Sequence, residues 1–197
     1  MVIASELKVI ERFYPHAESL MIYRRLLKEQ DWPENRYTVA GRQFQLPRLQ
    51  TWHADPGIVY SYSNNLLQTR PWSPLLSEIR EKIETYLGFG FNSVLVNLYR
   101  DGRDYVGWHA DNEAELGEQP LIASLTFGAE RRFAFRHKKT LEQGQINLSS
   151  GSLAIMLPAF QHQWLHSVPA EPTLAEGRIN LTFRKVIPAS VVHPAYD

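Results

Sequence analysis

The chain has 197 residues, of which 44% are hydrophobic and 21% charged, a mixture typical of one folded domain and not of a disordered chain. It contains no cysteine, which excludes disulfides, thiolate metal sites and cysteine nucleophiles, so any metal must bind to His, Asp or Glu. Lys plus Arg (21) equals Asp plus Glu (21), so the net charge gives no general attraction to nucleic acid. There is no apolar run long enough for a bilayer and no leader pattern, so we expect a cytoplasmic protein without membrane contact.

Two helices are predicted in the first part of the chain. The first spans residues 15–30, with Pro15 near its first turn and an apolar side formed by Leu20, Met21 and Leu27. The second spans residues 73–87, because Ser73 is a suitable N-cap, apolar residues recur every four positions and Gly88 follows as a stop signal.

After Gly88 the sequence predicts strands, since short segments rich in Val, Ile, Leu, Phe and Thr are separated by Gly, Pro, Asn or Asp. Six strands are expected, at residues 93–99, 122–128, 132–136, 145–148, 152–157 and 178–186. Helices followed by many short strands indicate an α+β, mainly β protein. We therefore predict a β-sandwich or jelly roll with the N-terminal helices packed on it.

The pattern Trp-His-Ala-Asp occurs twice, at residues 52–55 and 108–111. In an extended chain, residues two apart point to the same side, so His109 and Asp111 can bind one metal ion together. A His-x-Asp pair is more often incidental than metal-binding. The first copy runs into Pro56, a turn signal that disfavours joint use of its pair. The second copy follows a predicted strand and is the candidate metal site.

His109 and Asp111 would supply two ligands of a facial site, which needs a second His as its third ligand. Such a site leaves metal positions open for a co-substrate and O2. The sequence offers His162 and His166 for this role. They are four residues apart and would face the same way only on a helix. Because Pro158 precedes them and Pro169 follows, we expect loop and strand there. One of the two histidines is expected to be structural, and the residues alone leave the choice open.

Residues 178–184 alternate strictly between polar and apolar side chains. As a strand, this segment would place four polar side chains on one face: Arg178, Asn180, Thr182 and Arg184. Two arginines that face a core need anionic partners, and a dicarboxylate would supply two charges. The alternative is an edge strand whose arginines point to solvent. Asn97 and Tyr99 have the same two-residue spacing and would add donors to the pocket, unless they form a structural cross-strand pair.

Together these segments resemble the AlkB family of Fe(II)- and 2-oxoglutarate-dependent nucleic-acid dealkylases. The likeness covers about residues 94–186 and reaches back more weakly to about residue 39. Its motifs are Asn-x-Tyr at 97–99, His-x-Asp at 109–111, Ala-Ser-Leu-Thr-Phe-Gly at 123–128, Phe-Arg-His-Lys at 135–138, Trp-Leu-His-Ser at 164–167 and Arg-x-Asn-Leu-Thr-Phe-Arg at 178–184. No single motif decides the matter, whereas the ordered set is highly specific.

The resemblance implies a double-stranded β-helix core at residues 91–197. Residues 1–90 would supply the N-terminal helices and a nucleotide-recognition lid, within the same structural unit. It also implies that His109, Asp111 and His166 bind Fe(II), because His166 stands in the Trp-x-His-Ser setting, whereas His162 and His53 match no ligand.

For 2-oxoglutarate, the resemblance implies that Arg178 holds the distal carboxylate and that Arg184 lies nearer the end that chelates iron. Six residues are expected to bind this co-substrate: Asn97, Tyr99, Arg178, Asn180, Thr182 and Arg184.

The implied substrate is an alkylated base that is turned out of its strand. Tyr62 resembles a residue that stacks on this base. Glu113 resembles an acid that faces the base and favours cationic 1-methyladenine or 3-methylcytosine. Their alternatives are core packing for Tyr62 and a solvated charge for Glu113. Two acid-free basic stretches, which in isolation would be read as solvated surface, supply the expected phosphate contacts: Arg48, Arg136 and Lys138.

One segment departs from the family pattern. Residues 39–41 read Val-Ala-Gly, where duplex-preferring relatives carry a bulky apolar finger that fills the gap left by the flipped base. The methyl group of Ala40 is too small for this gap, so efficient action on duplex would need Phe44 or Gln43 as a substitute.

We therefore predict a monomeric DNA-repair enzyme that demethylates alkylated bases in single- or double-stranded DNA, with RNA as a second substrate. It would use Fe(II), 2-oxoglutarate and O2, and release formaldehyde, succinate and CO2. One alternative is a 2-oxoglutarate-dependent hydroxylase of a protein or small molecule. The other is a β-sandwich binding module without catalysis, in which His109, Asp111 and His166 do not converge.

Overall fold

The computed structural model describes residues 4–34, 36–39, 42–59, 61, 62, 65, 66 and 68–187. Its helices are α1 (His16–Glu29), α2 (Pro74–Leu87) and α3 (Pro158–Gln163), with a 3-10 turn at Ala114–Leu116. The strands before α2 are β1 (Leu7–Ile10), β2 (Arg36–Val39), β3 (Arg42–Gln45), β4 (Leu49–Ala54), β5 (Ser61–Tyr62), β6 (Asn65–Leu66) and β7 (Thr69–Arg70). Those after it are β8 (Ser93–Tyr99), β9 (Val106–His109), β10 (Ile122–Gly128), β11 (Arg131–His137), β12 (Gln143–Leu148), β13 (Leu153–Met156), β14 (Trp164–Val168) and β15 (Arg178–Arg184).

Two facing sheets form the body of the protein. The major sheet has the order β1-β13-β10-β15-β8-β4-β7, and the minor sheet has the order β12-β11-β14-β9. Neighbouring strands are antiparallel except for the parallel pair of β4 and β7. One apolar core lies between the sheets and a second lies between the major sheet and the helices. The predicted mainly β, jelly-roll fold with helices packed on it is therefore confirmed.

The second predicted helix is confirmed with its caps. The hydroxyl of Ser73 accepts a hydrogen bond from the Leu76 amide at 3.2 Å, and Gly88 ends α2 in the left-handed region at φ 63°. Leu75, Ile79 and other apolar residues of this helix are buried against the major sheet. The sequence signals at both ends were thus sufficient to place it.

The first helix forms where it was predicted, but the apolar side identified from the sequence is not the side that the helix buries. Its buried residues are Ser19, Ile22 and Leu26. The reason is the small Ser19, whose hydroxyl donates to the carbonyls of Tyr14 and Pro15 and lets the helix pack closely. The three residues of the predicted apolar side are exposed to 40%, 58% and 38%: Leu20, Met21 and Leu27.

Two of the six predicted strands match β8 and β10 residue for residue, and the other four differ by one or two residues at an end. None of the seven strands that precede α2 in the described part of the chain was predicted, although three of them, β1, β4 and β7, belong to the major sheet. The expectation of loop and strand around the two candidate histidines was wrong in part. His162 lies on the short helix α3, and His166 lies on β14. In the part of the chain that the structure describes, no helix has the length and apolar character needed to cross a membrane.

Candidate active site

Two imidazoles and one carboxylate meet between the two sheets. His109 ends β9 and pairs with His166 of the neighbouring strand β14, and Asp111 follows two residues later. Ligand atoms of His109, Asp111 and His166 all lie within 4.8 Å of one another. A binding module in which these residues stay apart is therefore excluded.

The other histidine that the sequence offered lies elsewhere. The Nε2 atom of His162 is 2.8 Å from the carbonyl oxygen of Glu118, and His162 does not belong to the cluster of three. The choice that the residues alone left open thus falls on His166.

Neighbouring groups hold each imidazole in a neutral, oriented form. The Nδ1 atom of His109 is 2.8 Å from the Gly107 carbonyl oxygen, which can only accept, so Nδ1 carries the proton and Nε2 the lone pair. The ring of His166 stacks on Phe133 at 5.3 Å between centroids. Burial lowers the pKa of His166 to about 3, helped by His109, and burial also lowers the pKa of His109. Both rings are therefore in the neutral state that metal binding requires.

The carboxylate of Asp111 is buried and ionised. Burial alone would raise its pKa, but the charge of the Arg184 guanidinium holds the pKa well below its ordinary value. The Nη2 atom of Arg184 donates to Oδ1 at 2.7 Å, and the Asp111 amide donates to the side-chain oxygen of Gln161 at 2.9 Å. Gln161 was not identified from the sequence, because it lies on the unpredicted helix α3 and no periodic pattern pointed to it.

The polar face of β15 forms one wall of the cavity beside the three residues. The strand lies in the middle of the major sheet, between β10 and β8, so the alternative of an edge strand with solvated arginines is wrong. Both Arg178 and Arg184 are 2% exposed. The opposite face of the strand packs into the core beneath the helices, as the alternation indicated.

The guanidinium of Arg178 has unused donors in this wall. Its Nη2 atom donates to the Thr126 hydroxyl at 2.9 Å, and its Cζ atom lies 5.2 Å from the centroid of the Tyr99 ring. Its Nε and Nη1 atoms are buried without a hydrogen-bond partner among the described residues. Burial lowers the pKa of Arg178 to about 10, although Tyr99 acts in the opposite direction. Because unpaired buried donors are costly, the cavity is suited to an anionic ligand.

Two polar residues of the same wall are turned toward the protein. The Asn180 amide nitrogen donates to the Ser124 hydroxyl at 2.8 Å and to the Leu125 carbonyl at 3.1 Å. The Thr182 hydroxyl in turn donates to the Asn180 side-chain oxygen at 2.8 Å. Both residues line the cavity, but the hydrogens of the Asn180 amide are already used within the fold.

The other two residues expected at the co-substrate, Asn97 and Tyr99, lie on β8 opposite β15. Their backbone partners are Asn180 and Arg178, and both side chains line the cavity. The two-residue spacing therefore put them on the predicted face.

The three residues expected to contact phosphate lie in different environments. Arg48 is 5% exposed and lines the cavity itself, which the sequence did not indicate. The Lys138 ammonium donates to the Gln161 carbonyl at 2.7 Å. The Cζ atom of Arg136 lies 4.9 Å from the centroid of Trp108. Since Phe135 packs in the core between the sheets, strand alternation puts Arg136 on the outer face of the minor sheet.

The residues expected to contact the base are described in part. Glu113 is partly buried and precedes the 3-10 turn Ala114–Leu116. The backbone of Tyr62 pairs with Asn65 in a two-residue strand, but its side chain lies outside the described residues. The finger segment likewise falls outside them at Ala40 and the following glycine.

The chain is similar to a known protein family in sequence and in fold. The family model of the 2OG-Fe(II) oxygenase superfamily matches residues 6–184. The mouse protein "DNA oxidative demethylase ALKBH2" is 38% identical over 183 residues, which cover 87% of this chain and 77% of the mouse protein. The human "Alpha-ketoglutarate-dependent dioxygenase alkB homolog 3" is 39% identical over 181 residues, covering 87% of this chain and 63% of the human protein. A solved structure, "The structure of OsALKBH1", aligns with a TM-score of 0.66 over 94% of this chain at 18% identity, a likeness of fold.

Proposed function

Because the chain belongs to the AlkB family within the Fe(II)- and 2-oxoglutarate-dependent oxygenases, we propose that it demethylates alkylated DNA bases oxidatively, as a repair enzyme. The observation that carries the proposal is the convergence of His109, Asp111 and His166 beside a buried arginine with unused donors. The names of the mouse and bovine relatives describe the same activity for those proteins.

The three converging residues fit iron. Two neutral imidazoles and one carboxylate on one side of a cation form the facial set typical of non-haem Fe(II), and they leave positions open for other ligands. Iron bound there with 2-oxoglutarate and O2 supplies the oxidation of the methyl group, with release of formaldehyde, succinate and CO2. The protein's part is to keep both imidazoles deprotonated, to hold the carboxylate ionised through Arg184, and to exclude water by burial.

The wall formed by β15 and β8 fits a dicarboxylate. The guanidinium of Arg178 keeps two unused donors, Nε and Nη1, for a carboxylate, and Tyr99 and Asn97 lie next to it on the neighbouring strand. Arg184 lies at the metal end, where it already contacts Asp111. Asn180 and Thr182 brace this wall through their mutual hydrogen bond.

The substrate that we propose is 1-methyladenine or 3-methylcytosine in DNA. A methyl group on the pairing edge is hidden in a duplex, so the base must be turned out, which costs less for a lesion that cannot pair. Glu113, two residues after Asp111, would face the cationic base, and Tyr62 would stack on it. The hairpin of β2 and β3, whose β3 side chains are exposed, would serve as the lid over the nucleotide. Action on RNA, the monomeric state and a cytoplasmic location remain predictions.

The test is mass spectrometry of short oligonucleotides that carry one 1-methyladenine or 3-methylcytosine, as single strands and as duplexes. With Fe(II), 2-oxoglutarate and ascorbate, we expect loss of one CH2 unit of mass, and no loss when 2-oxoglutarate is omitted. The Asp111→Asn variant is the inactive control, since it lacks the carboxylate of the metal set. Comparison of the two strand forms tests the effect of the small residue at the finger position.

Unchanged lesions in both strand forms, in a protein that binds Fe(II) and 2-oxoglutarate, would refute the nucleic-acid substrate. Succinate production that is stimulated by a protein or small molecule would then support the hydroxylase alternative. A wild-type protein that binds neither iron nor 2-oxoglutarate would refute both.

A further inference from the structure

We infer that Arg48 is a positioning residue for the co-substrate, which acts by orienting the side-chain amide of Asn97 and by fixing the segment that leads to His109. The inference rests on the proposed function, because it takes Asn97 to contact 2-oxoglutarate. It replaces the phosphate contact that the basic stretch around Arg48 suggested.

The position of Arg48 argues against a surface role. The residue directly precedes β4, it is 5% exposed, and it lines the cavity that contains the three converging residues. A side chain that contacts the phosphates of a long polyanion must present its charge at the surface. Arg48 instead directs its guanidinium inward, toward β8.

The contact with Asn97 determines which way the amide points. The Nε atom of Arg48 lies 3.1 Å from Oδ1 of Asn97. A guanidinium nitrogen can only donate, so the amide oxygen must be the atom that faces it. The amide nitrogen then points away from Arg48. Because Asn97 lines the cavity, this nitrogen is a donor held ready for an anionic ligand.

A second contact ties Arg48 to the metal end of the site. Its Nη1 atom donates to the Tyr105 carbonyl at 3.3 Å, and the Tyr105 amide donates to the Pro47 carbonyl at 3.0 Å. Tyr105 directly precedes β9, which ends at His109. One planar side chain thus fixes the relative position of a co-substrate donor on β8 and the strand that carries a metal ligand. A lysine has a single nitrogen and cannot make both contacts in this geometry.

A double-mutant cycle tests whether Arg48 acts through Asn97. Arg48→Met, Asn97→Ala and the double variant would be compared by calorimetric titration of 2-oxoglutarate into Mn(II)-loaded protein, which binds without turnover. We expect Arg48→Met to weaken binding on the order of tenfold, the lower range for an outer-shell partner. The double variant should be no weaker than Asn97→Ala alone, because the two residues act as one unit. Arg12→Met, at an exposed position outside the cavity, should leave the affinity unchanged.

Arg48→Lys keeps the positive charge, and it serves as a second test if the methionine variant fails to fold. We expect it to lose 2-oxoglutarate affinity as well, since the charge alone does not orient the amide. Unchanged affinity in either variant, or additive losses in the cycle, would overturn the positioning role. Wild-type protein that fails to bind 2-oxoglutarate would instead refute the proposed function.

Binding of a methylated oligonucleotide, followed by fluorescence anisotropy at several salt concentrations, separates this role from a phosphate contact. A positioning residue leaves the salt dependence of DNA binding unchanged. A fall of about one in the slope of log affinity against log salt for Arg48→Met would mark a lost phosphate contact and overturn the inference.

Discussion

The sequence Trp-His-Ala-Asp occurs twice in this chain, and the two copies have different environments. The first, at residues 52–55, includes the end of β4, which is paired on both sides by β8 and β7 within the major sheet. The second, at residues 108–111, lies at the end of the edge strand β9 of the minor sheet. An identical tetrapeptide is therefore surrounded by different partners.

In the first copy the two polar side chains bind separate partners. The ring nitrogens of His53 lie 2.7 Å from the Pro71 carbonyl and 2.9 Å from the Gln30 side-chain oxygen. Asp55 accepts hydrogen bonds from Trp72 and Arg80 at 2.8 Å and 2.7 Å. These contacts connect the end of β4 with the C-cap of α1 and with α2, and they engage the ring nitrogens and carboxylate oxygens that a metal would need.

In the second copy, His109 and Asp111 turn toward a common point that His166 also reaches. A His-x-Asp pair therefore becomes a metal set where a third ligand reaches it from a neighbouring strand. The two-residue spacing is the same in both copies, and the tertiary partners of each copy determine whether its side chains can share a metal ion.

Alanine at each histidine gives the largest expected difference between the copies. His109→Ala should weaken Fe(II) binding on the order of a thousandfold, since metal-site energies of about 10–16 kcal/mol shared among the ligands give a few kcal/mol for each. His53→Ala should stay within about twofold of wild type, because distant sites act independently. Anaerobic equilibrium dialysis with Fe(II) measures both. Equal losses in the two variants would show that the first copy contributes to the metal site.

The two tryptophans should differ in their contribution to folding stability. Trp52 is 1% exposed in the core between the sheets, so Trp52→Ala should lower the free energy of unfolding by about 3–5 kcal/mol. Trp108 is 41% exposed. Trp108→Ala should cost about 1 kcal/mol or less, mainly the loss of its cation–π contact with Arg136. Urea unfolding of the metal-free proteins measures both values, and a similar loss in the two would contradict the assigned environments.

The two aspartates should also differ in their contribution to folding stability, but here the residue of the second copy should contribute more. The Asp111–Arg184 pair is buried, with both side chains 2% exposed, so Asp111→Asn should cost the metal-free protein about 3–5 kcal/mol. In the Asp55–Arg80 pair the side chains are 39% and 25% exposed, so Asp55→Asn should cost about 1 kcal/mol. Urea unfolding again provides the values. A larger loss in Asp55→Asn would contradict the greater contribution expected from the buried pair.

Much of the fold was predictable where local signals agree with the tertiary environment. The caps of α2 and the strict alternation in β15 each determined an element and its faces. The buried side of α1 was not predictable from hydrophobicity, because Ser19 is buried through bonds to carbonyls of the preceding turn. Strand β4 was missed since its buried polar residues find partners that are distant in sequence, such as the bond from Thr51 to Gln30.

The candidate site was predictable to a similar extent. Alternation indicated that Arg178 and Arg184 share a polar face, and the structure gives them one. The choice of His166 over His162 required either family resemblance or the structure, because both lie between the same two prolines and neither shows a decisive pattern. The role of Arg48 could not be found from its basic stretch, since charge runs do not reveal which residue turns inward.

The smallest expected effect concerns the pH dependence that His53 gives to stability. Burial lowers the pKa of His53 below its ordinary value of 6.5, the bond to the Pro71 carbonyl opposes this, and Arg70 adds to it. The unfolded chain therefore takes up the proton at a higher pH than the folded protein does. The contribution of His53 to the free energy of unfolding is fully present above about pH 6.5. It is lost as the pH falls toward the lower pKa that His53 has in the folded protein.

His53→Gln removes this titration while the amide can still bond to its neighbours. The difference in unfolding free energy between wild type and variant should shrink as the pH falls from about 7.5 to about 5.5, by at most about 1.4 kcal/mol per pH unit. The remaining histidines cancel in this difference, including His109 and His166, so the second copy does not contribute. A difference that stays constant or grows in acid would mean that the folded protein accepts the proton at His53 as readily as the unfolded chain. The polar network of the first copy would then be open to water.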